Sequence, residues 1–334
     1  MPSPTVKRKI FHILLLLILP VLAAQGQSRG YIISSRNAEH LATEEALRSQ
    51  VEFLTDSLCT GRATGTPGST WAQAGIARQF ASAGLLPSGD SYFHGFKADT
   101  GLPAHNVIGF LPGSGSRYVV IAAHYDNIGT LNGKLYPGAD SNASGVTALL
   151  TIAKMFSHLK ELGRTYSHTL IFVALDAKEQ SLGGSRHLWR EIDNDLLKDP
   201  RTGLPVSEKQ IDRMVNIDQV GGTQAPLHKG RPDFLIMLSD EKDGRRDALY
   251  MANTEPGLNL DLGFTYYGSK DFTRVFYRNI SDQKFFLDNR IPSVMFTSGI
   301  TLLNNKPEDN AGSLDYAIFR RRVLLMFYYL SRII

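Results

Sequence analysis

Residues 118–145, YVVIAAHYDNIGTLNGKLYPGADSNASG, constrain this chain more than any other stretch. An unbroken apolar run ends on His124 and Asp126. A Gly-rich loop follows and leads to Asp140, just ahead of a second apolar segment. A run with no polar alternation predicts a strand buried on both faces, which parallel sheets covered by helices require. A His-x-Asp at a strand end, with another Asp at the mouth of the next helix, suits a metal site, because imidazole and carboxylate are the usual first-row metal donors.

The remainder of the chain keeps the same rhythm. Three- and four-residue apolar spacing predicts a helix over about 38–58 and another over 70–83, the latter ending at Gly84. HTLIFVALD predicts a second doubly buried strand, and RMVNIDQVG, DFLIMLS and residues 292–297 predict further strands. Helices are expected at SGVTALLTIAKMFSHL, SLGGSRHLWREI, residues 243–253 and LDYAIFRRRVLLMFYYLSRI. Strands separated by helices predict an α/β fold with a doubly wound, mostly parallel sheet flanked by helices. Ligands of such sheets sit beyond the carboxyl ends of the strands. His124, Asp176, Glu179 and Asp218 all fall at or just after expected strand ends.

The first residues stand apart. Lys7, Arg8 and Lys9 precede an apolar run and the small-residue text PVLAAQGQ, so residues 1–26 are expected to be a secretory signal peptide and 27–43 a linker to a single domain, 44–334. The run is short for a membrane span, so no stable span is expected after cleavage. The product is then periplasmic or extracellular. The chain's net charge of +4 includes those three basic residues, leaving +1 on the rest, so the basic balance calls for no nucleic-acid partner. Cys59 is the only cysteine, so no intrachain disulfide can form.

HYD, GADSNASG, FVALDAKEQSLGGS, VNIDQVGG, SDQKFF and NKPED, taken together and in this order, resemble the zinc aminopeptidase family, with bacterial leucyl aminopeptidases, glutaminyl cyclases and transferrin receptor-like non-catalytic relatives. CTGRATGTPGS and HNVIGFLPGS fit the upstream pattern, so the resemblance runs from about residue 44 to the end. It implies the zinc exopeptidase-like (phosphorylase/hydrolase-like) architecture. It also implies roles: Asp140 as a carboxylate bridging two zinc ions, His124 and Asp218 completing one metal site, Asp126 orienting His124, and Glu179 binding the other metal. The ligand or substrate would be a peptide or protein N-terminus.

The sequence departs from that pattern at two places. Lys178 stands in the general-base position of DAKEQ, where an ammonium can accept no proton. A +1/+2 pair about 4 Å apart repels by on the order of 8 kcal/mol at an effective dielectric of about 20. Asn305 takes the place of the family's C-terminal histidine, and Gln283 that of the histidine in SDH. Amide oxygen is a poor zinc donor beside imidazole. Both losses fall on the Glu179 side. One zinc on His124, Asp140 and Asp218 is therefore expected rather than two, with none as the limiting case and Lys178 supplying the missing positive charge.

These residues leave two functions in competition. One is a non-catalytic binding module with weak or no peptidase activity. The other is an active metallo-aminopeptidase or glutaminyl cyclase-like enzyme using one zinc, with Glu179 as a substitute base. Ser185 lacks a G-x-S-x-G elbow, and GRATGTPG does not open a helix after a strand, so neither a nucleophilic hydrolase nor a dinucleotide enzyme is expected. The polar text over 191–213 reads as a surface excursion.

Overall fold

The computed structural model describes residues 35–223, 231–240, 245–266 and 268–334. The expected signal peptide and the first part of the linker lie outside them. In chain order the principal elements are α1 (Glu44–Thr55), α2 (Pro67–Ser82), β1 (Phe93–Lys97), β2 (Pro103–Leu111) and β3 (Arg117–His124). Then come α3 (Gly145–Glu161), β4 (His168–Leu175), α4 (Gly183–Asp193), β5 (Ile211–Ile217) and β6 (Phe234–Ser239). The chain closes with α5 (Arg246–Thr254), β7 (Asp261–Gly263), α6 (Lys270–Asn279), β8 (Ser293–Thr297) and α7 (Tyr316–Ile333).

The eight strands form one sheet in the order β1-β2-β4-β3-β5-β8-β6-β7. The central four, β4, β3, β5 and β8, are parallel. β1, β2 and β6 join antiparallel, and β7 is parallel to β6. The carboxyl ends of β3, β5 and β8 thus meet at one end of the sheet, carrying His124, Asp218 and Thr297 there.

The uninterrupted apolar runs are explained by two cores. Val119, Ile121 and Ala123 of β3, with Leu170, Phe172 and Ala174 of β4, pack against α1, α2, α3 and α7. The alternate residues, Val120 and Ala122 with Ile171 and Val173, pack against Leu188, Trp189 and Ile192 of α4. Each such side chain, fully buried, stabilises the fold by roughly 1.5–3 kcal/mol. Helix starts are fixed locally. The Thr43 hydroxyl accepts from the Ala46 amide, Thr66 from Ser69 ahead of Pro67, and Asp315 from Ile318.

Two expectations change. The described part of the linker is packed, not free: Ala38 and Ala42 are fully buried, and Arg320 donates to the Ala42 carbonyl at 2.7 Å. The 191–213 excursion is anchored as well. Leu197 and Val206 are buried, and the buried Asp199 accepts from Tyr118 Oη at 3.0 Å and pairs with Arg201 at 2.8 Å. The rest of it does run over the surface, with 193–196 and 201–204 exposed.

Candidate functional site

His124 ends β3, fully buried, with both ring nitrogens facing acceptors. Nδ1 lies 3.1 Å from the Asp126 carbonyl and 3.6 Å from its carboxylate. Nε2 lies 3.4 Å from Asp218 Oδ1. Burial and Lys178 both oppose a charge on the ring, but Asp126 and Asp218 outweigh them and push its pKa up to about 10. Protonated, the ring donates to the Asp126 carbonyl and to Asp218.

Lys178 lies in the turn after β4, beside Glu179. Its Nζ is 3.3 Å from Glu179 Oε1. Burial works against the ammonium, yet Asp218, Glu179, Asp282 and Asp126 together hold its pKa above the ordinary lysine value. Asp218 is buried too, and burial alone would raise its pKa. Lys178 and His124 reverse that and lower it to about 2. The Glu179 amide donates to Asp126 Oδ2 at 3.0 Å, tying this turn to the end of β3. The centre is thus a set of ion pairs, with two cations, His124 and Lys178, among four acids.

Asp282 is the member that sequence reasoning passed over. It is fully buried, and neither carboxylate oxygen has a hydrogen-bond partner among the described residues. Burial pushes its pKa up to about 7, with Asp218 and Asp126 adding to the rise and His124 and Lys178 opposing it. Its neighbour Gln283 points elsewhere, accepting from Asn216 at 2.9 Å and donating to the Tyr277 carbonyl at 2.6 Å.

Two expected ligands are not brought to the centre. Asp140 Oδ1 accepts from the Gly221 and Gly222 amides at 2.9 and 2.8 Å and from Ser144 Oγ at 3.2 Å. Burial and the adjacent Asp309 push its pKa up to about 7, against those amides and Arg322. None of its hydrogen bonds reaches His124, Asp218 or Glu179. A Cβ on Gly222 would meet Asp140 Oδ2 at 2.3 Å, so this close seat needs glycine. The next two residues both reach the end of β5: Ser141 Oγ accepts from Gln219 Nε2 at 3.1 Å and Asn142 Oδ1 from the Gln219 amide at 2.8 Å. Asn305 is exposed, at φ 57°, while Asn304 accepts from Gln219 at 2.8 Å. Asp176 is structural: it accepts from Tyr125 Oη at 2.7 Å and Thr64 Oγ1 at 2.9 Å.

The scaffold beneath is rigid. Arg62, from the CTGRATG loop, is fully buried and donates to the carbonyls of Tyr125, Leu54, Pro137 and Gly138 at 2.6–2.9 Å. Asn142 Nδ2 donates to the His124 and Ile217 carbonyls at 3.3 and 3.0 Å, clamping the ends of β3 and β5.

The sequence model of peptidase family M28 matches residues 106–330. The chain belongs to peptidase family M28. Its solved structural neighbours include a zinc aminopeptidase from Bacillus subtilis, at TM-score 0.64 and 13% identity, covering 87% of this chain and 95% of that one. Another is the Macrostomum lignano glutaminyl cyclase, at TM-score 0.66 and 18% identity, covering 90% and 92%. These likenesses establish the shared α/β architecture. Among curated proteins, BOS complex subunit NCLN of Gallus gallus is 34% identical over 116 residues, 34% of this chain and 19% of that protein. The chain thus spans about a fifth of that relative's length.

The zinc that M28 neighbours suggest does not fit these residues. Among the described residues no group of three or more His, Cys, Asp and Glu side chains is placed to hold a metal ion. His124 and Asp218 face each other, but the ammonium of Lys178 also acts on the Asp218 carboxylate, Asp140 is seated on the Gly221 and Gly222 amides, and Asn305 is exposed.

Proposed function

We propose that this M28 chain is an exported, non-catalytic member of its family that works as a peptide- or protein-binding module. The observation that carries the proposal is Lys178. Its ammonium sits among Asp218, Glu179, Asp282 and Asp126, where the family's chemistry needs a base and a metal. A protonated lysine can activate no water, and Glu179, the candidate substitute base, is paired to it at 3.3 Å. Export is supported by residues 1–26. A role in assembly is supported by the likeness to a protein that is itself a complex subunit. Among the described residues, no helix is long and apolar enough to cross a membrane.

An aminopeptidase or glutaminyl cyclase using one zinc is the competing function, and the neighbours' chemistry favours it. The test is purified chain, with and without added zinc, against aminoacyl chromogenic substrates and N-terminal glutaminyl peptides. The proposal predicts no turnover above a zinc-only control. Zinc-dependent turnover abolished by His124→Ala would overturn it. Identification of the mature N-terminus in exported material tests the export claim, and a retained Met1 would contradict it.

A further inference from the structure

At the far end of the sheet from His124, β6 runs out beside the start of β8, where Ser239 is in register with Val294. A cavity of about 440 Å³ opens there between β6, α5 and α6. We infer that it binds an acidic peptide segment, taking two carboxylates against a floor and rim of cations and an apolar side chain against an aromatic wall.

The described residues that line this cavity are strongly one-sided in charge. Arg246, Lys270 and Arg274 line it, and the acid among its lining residues, Asp240, is already paired with Arg278. Lys270 and Arg274 are exposed and stand one turn apart on the same face of α6. Neither has an ion pair or hydrogen bond among the described residues. At the floor, Arg246 lies over the Phe264 ring, 4.3 Å from its centroid. Its Nε and the hydroxyl of Ser239 are buried with no hydrogen-bond partner among the described residues. Buried donors left unmatched are rare in folded proteins and call for a ligand or water. Lys270 and Arg274 on the rim, without partners among the described residues, and Arg246 beneath them set out a site for more than one anionic group.

The size and the wall select the ligand. The volume lies in the range of sites for small organic ligands and is far larger than a single phosphate requires. Arginine forks match carboxylates in two-point fashion, and Phe264 supplies apolar contact beside them. Cations divided between floor and rim fit successive carboxylates along a chain better than one compact anion. This inference does not rest on the Lys178 centre, which lies at the other end of the sheet, so the two can fail separately.

The experiment is fluorescence anisotropy of full-length chain with a fluorescein-labelled Phe-Glu-Phe-Glu peptide and its Gln counterpart, in low and physiological salt. The Glu peptide is expected to bind and the Gln peptide to bind at least ~tenfold more weakly, with the difference shrinking as salt rises. Arg274→Gln is expected to weaken binding ~tenfold and the Lys270→Gln/Arg274→Gln pair further, with unchanged circular dichroism. These are exposed positions, so loss of fold is not expected; Ser239→Ala checks the floor independently. No binding of the Glu peptide, equal binding of the Gln peptide, or a double variant that binds like wild type would overturn the inference. So would inorganic phosphate displacing the peptide more effectively than glutarate does, since that outcome assigns the cavity to a compact anion.

Discussion

Replacing Lys178 by methionine keeps the length and apolar stem of the side chain and removes its charge. In the native centre the ammonium is 3.3 Å from Glu179 and offsets Asp218, Asp282 and Asp126. At an effective dielectric of about 20, one such contact is worth roughly 5 kcal/mol before desolvation. Glu179 is about one-third exposed, so solvent screens its share, and the burial of the ammonium opposes the whole. The net loss in Lys178→Met is therefore expected at about 2–4 kcal/mol, the cost of leaving buried acids with one cation fewer. It also depends on pH in a defined sense. Without the ammonium the folded carboxylates titrate higher, so the penalty is present above the ordinary carboxylate range and fades as they protonate below it. Urea unfolding followed by fluorescence of the two tryptophans, at about pH 7.5 and about pH 4.5, measures both effects. A variant as stable as wild type at the higher pH, or equally destabilised at both, would refute the charge-compensation argument.

Other substitutions probe separate parts of the account. Asp282 has its folded pKa raised to about 7, so its contribution is favourable below the ordinary aspartate value and is lost as pH climbs through 7. Asp282→Asn should remove that slope and gain up to about 4 kcal/mol relative to wild type near pH 8, read from unfolding curves across pH. Arg62→Met strips four buried carbonyls of their charged donor and should cost at least about 3 kcal/mol, visible as a lowered urea midpoint. Gly222→Ala forces a methyl to within 2.3 Å of Asp140 Oδ2 and 2.6 Å of Thr301 and should cost about 1–3 kcal/mol by thermal unfolding. A Lys178→Glu/Asn305→His pair should not build a metal site, because Asn305 is exposed and Asp140 faces Gly221 and Gly222. Stoichiometric zinc in that variant, by atomic emission, would contradict the geometry.

The fold could be read from the chain because burial leaves a periodic trace. HTLIFVALD and YVVIAAH show no polar alternation, and both of their faces are covered. The helix expected over 70–83 was legible, but it starts three residues earlier, because Thr66 and Pro67 cap and open it inside text dense in Gly, Thr and Pro. The interior of the centre was less visible. In GADSNASG the sequence presents one acid, but the backbone of that loop decides where each side chain turns: Ser141 and Asn142 bond Gln219 and the end of β5, while Asp140 seats on two glycine amides. A one-residue ambiguity separates Asn305 from Asn304. Asp282 lies in plain view in SDQKFF, yet a buried acid with no hydrogen bond leaves no pattern in sequence. Residues 191–213 do run over the surface, with 193–196 and 201–204 exposed, and the polar contacts of Asp199 with Arg201 and Tyr118 that anchor them leave no pattern in sequence.

The central claim is that Lys178 has taken the place of metal in this M28 chain. Equilibrium dialysis of full-length protein against zinc, followed by atomic emission, tests it most directly. The account predicts no stoichiometric zinc in wild type. One or more equivalents retained by wild type and lost in His124→Ala and Asp218→Ala would contradict it.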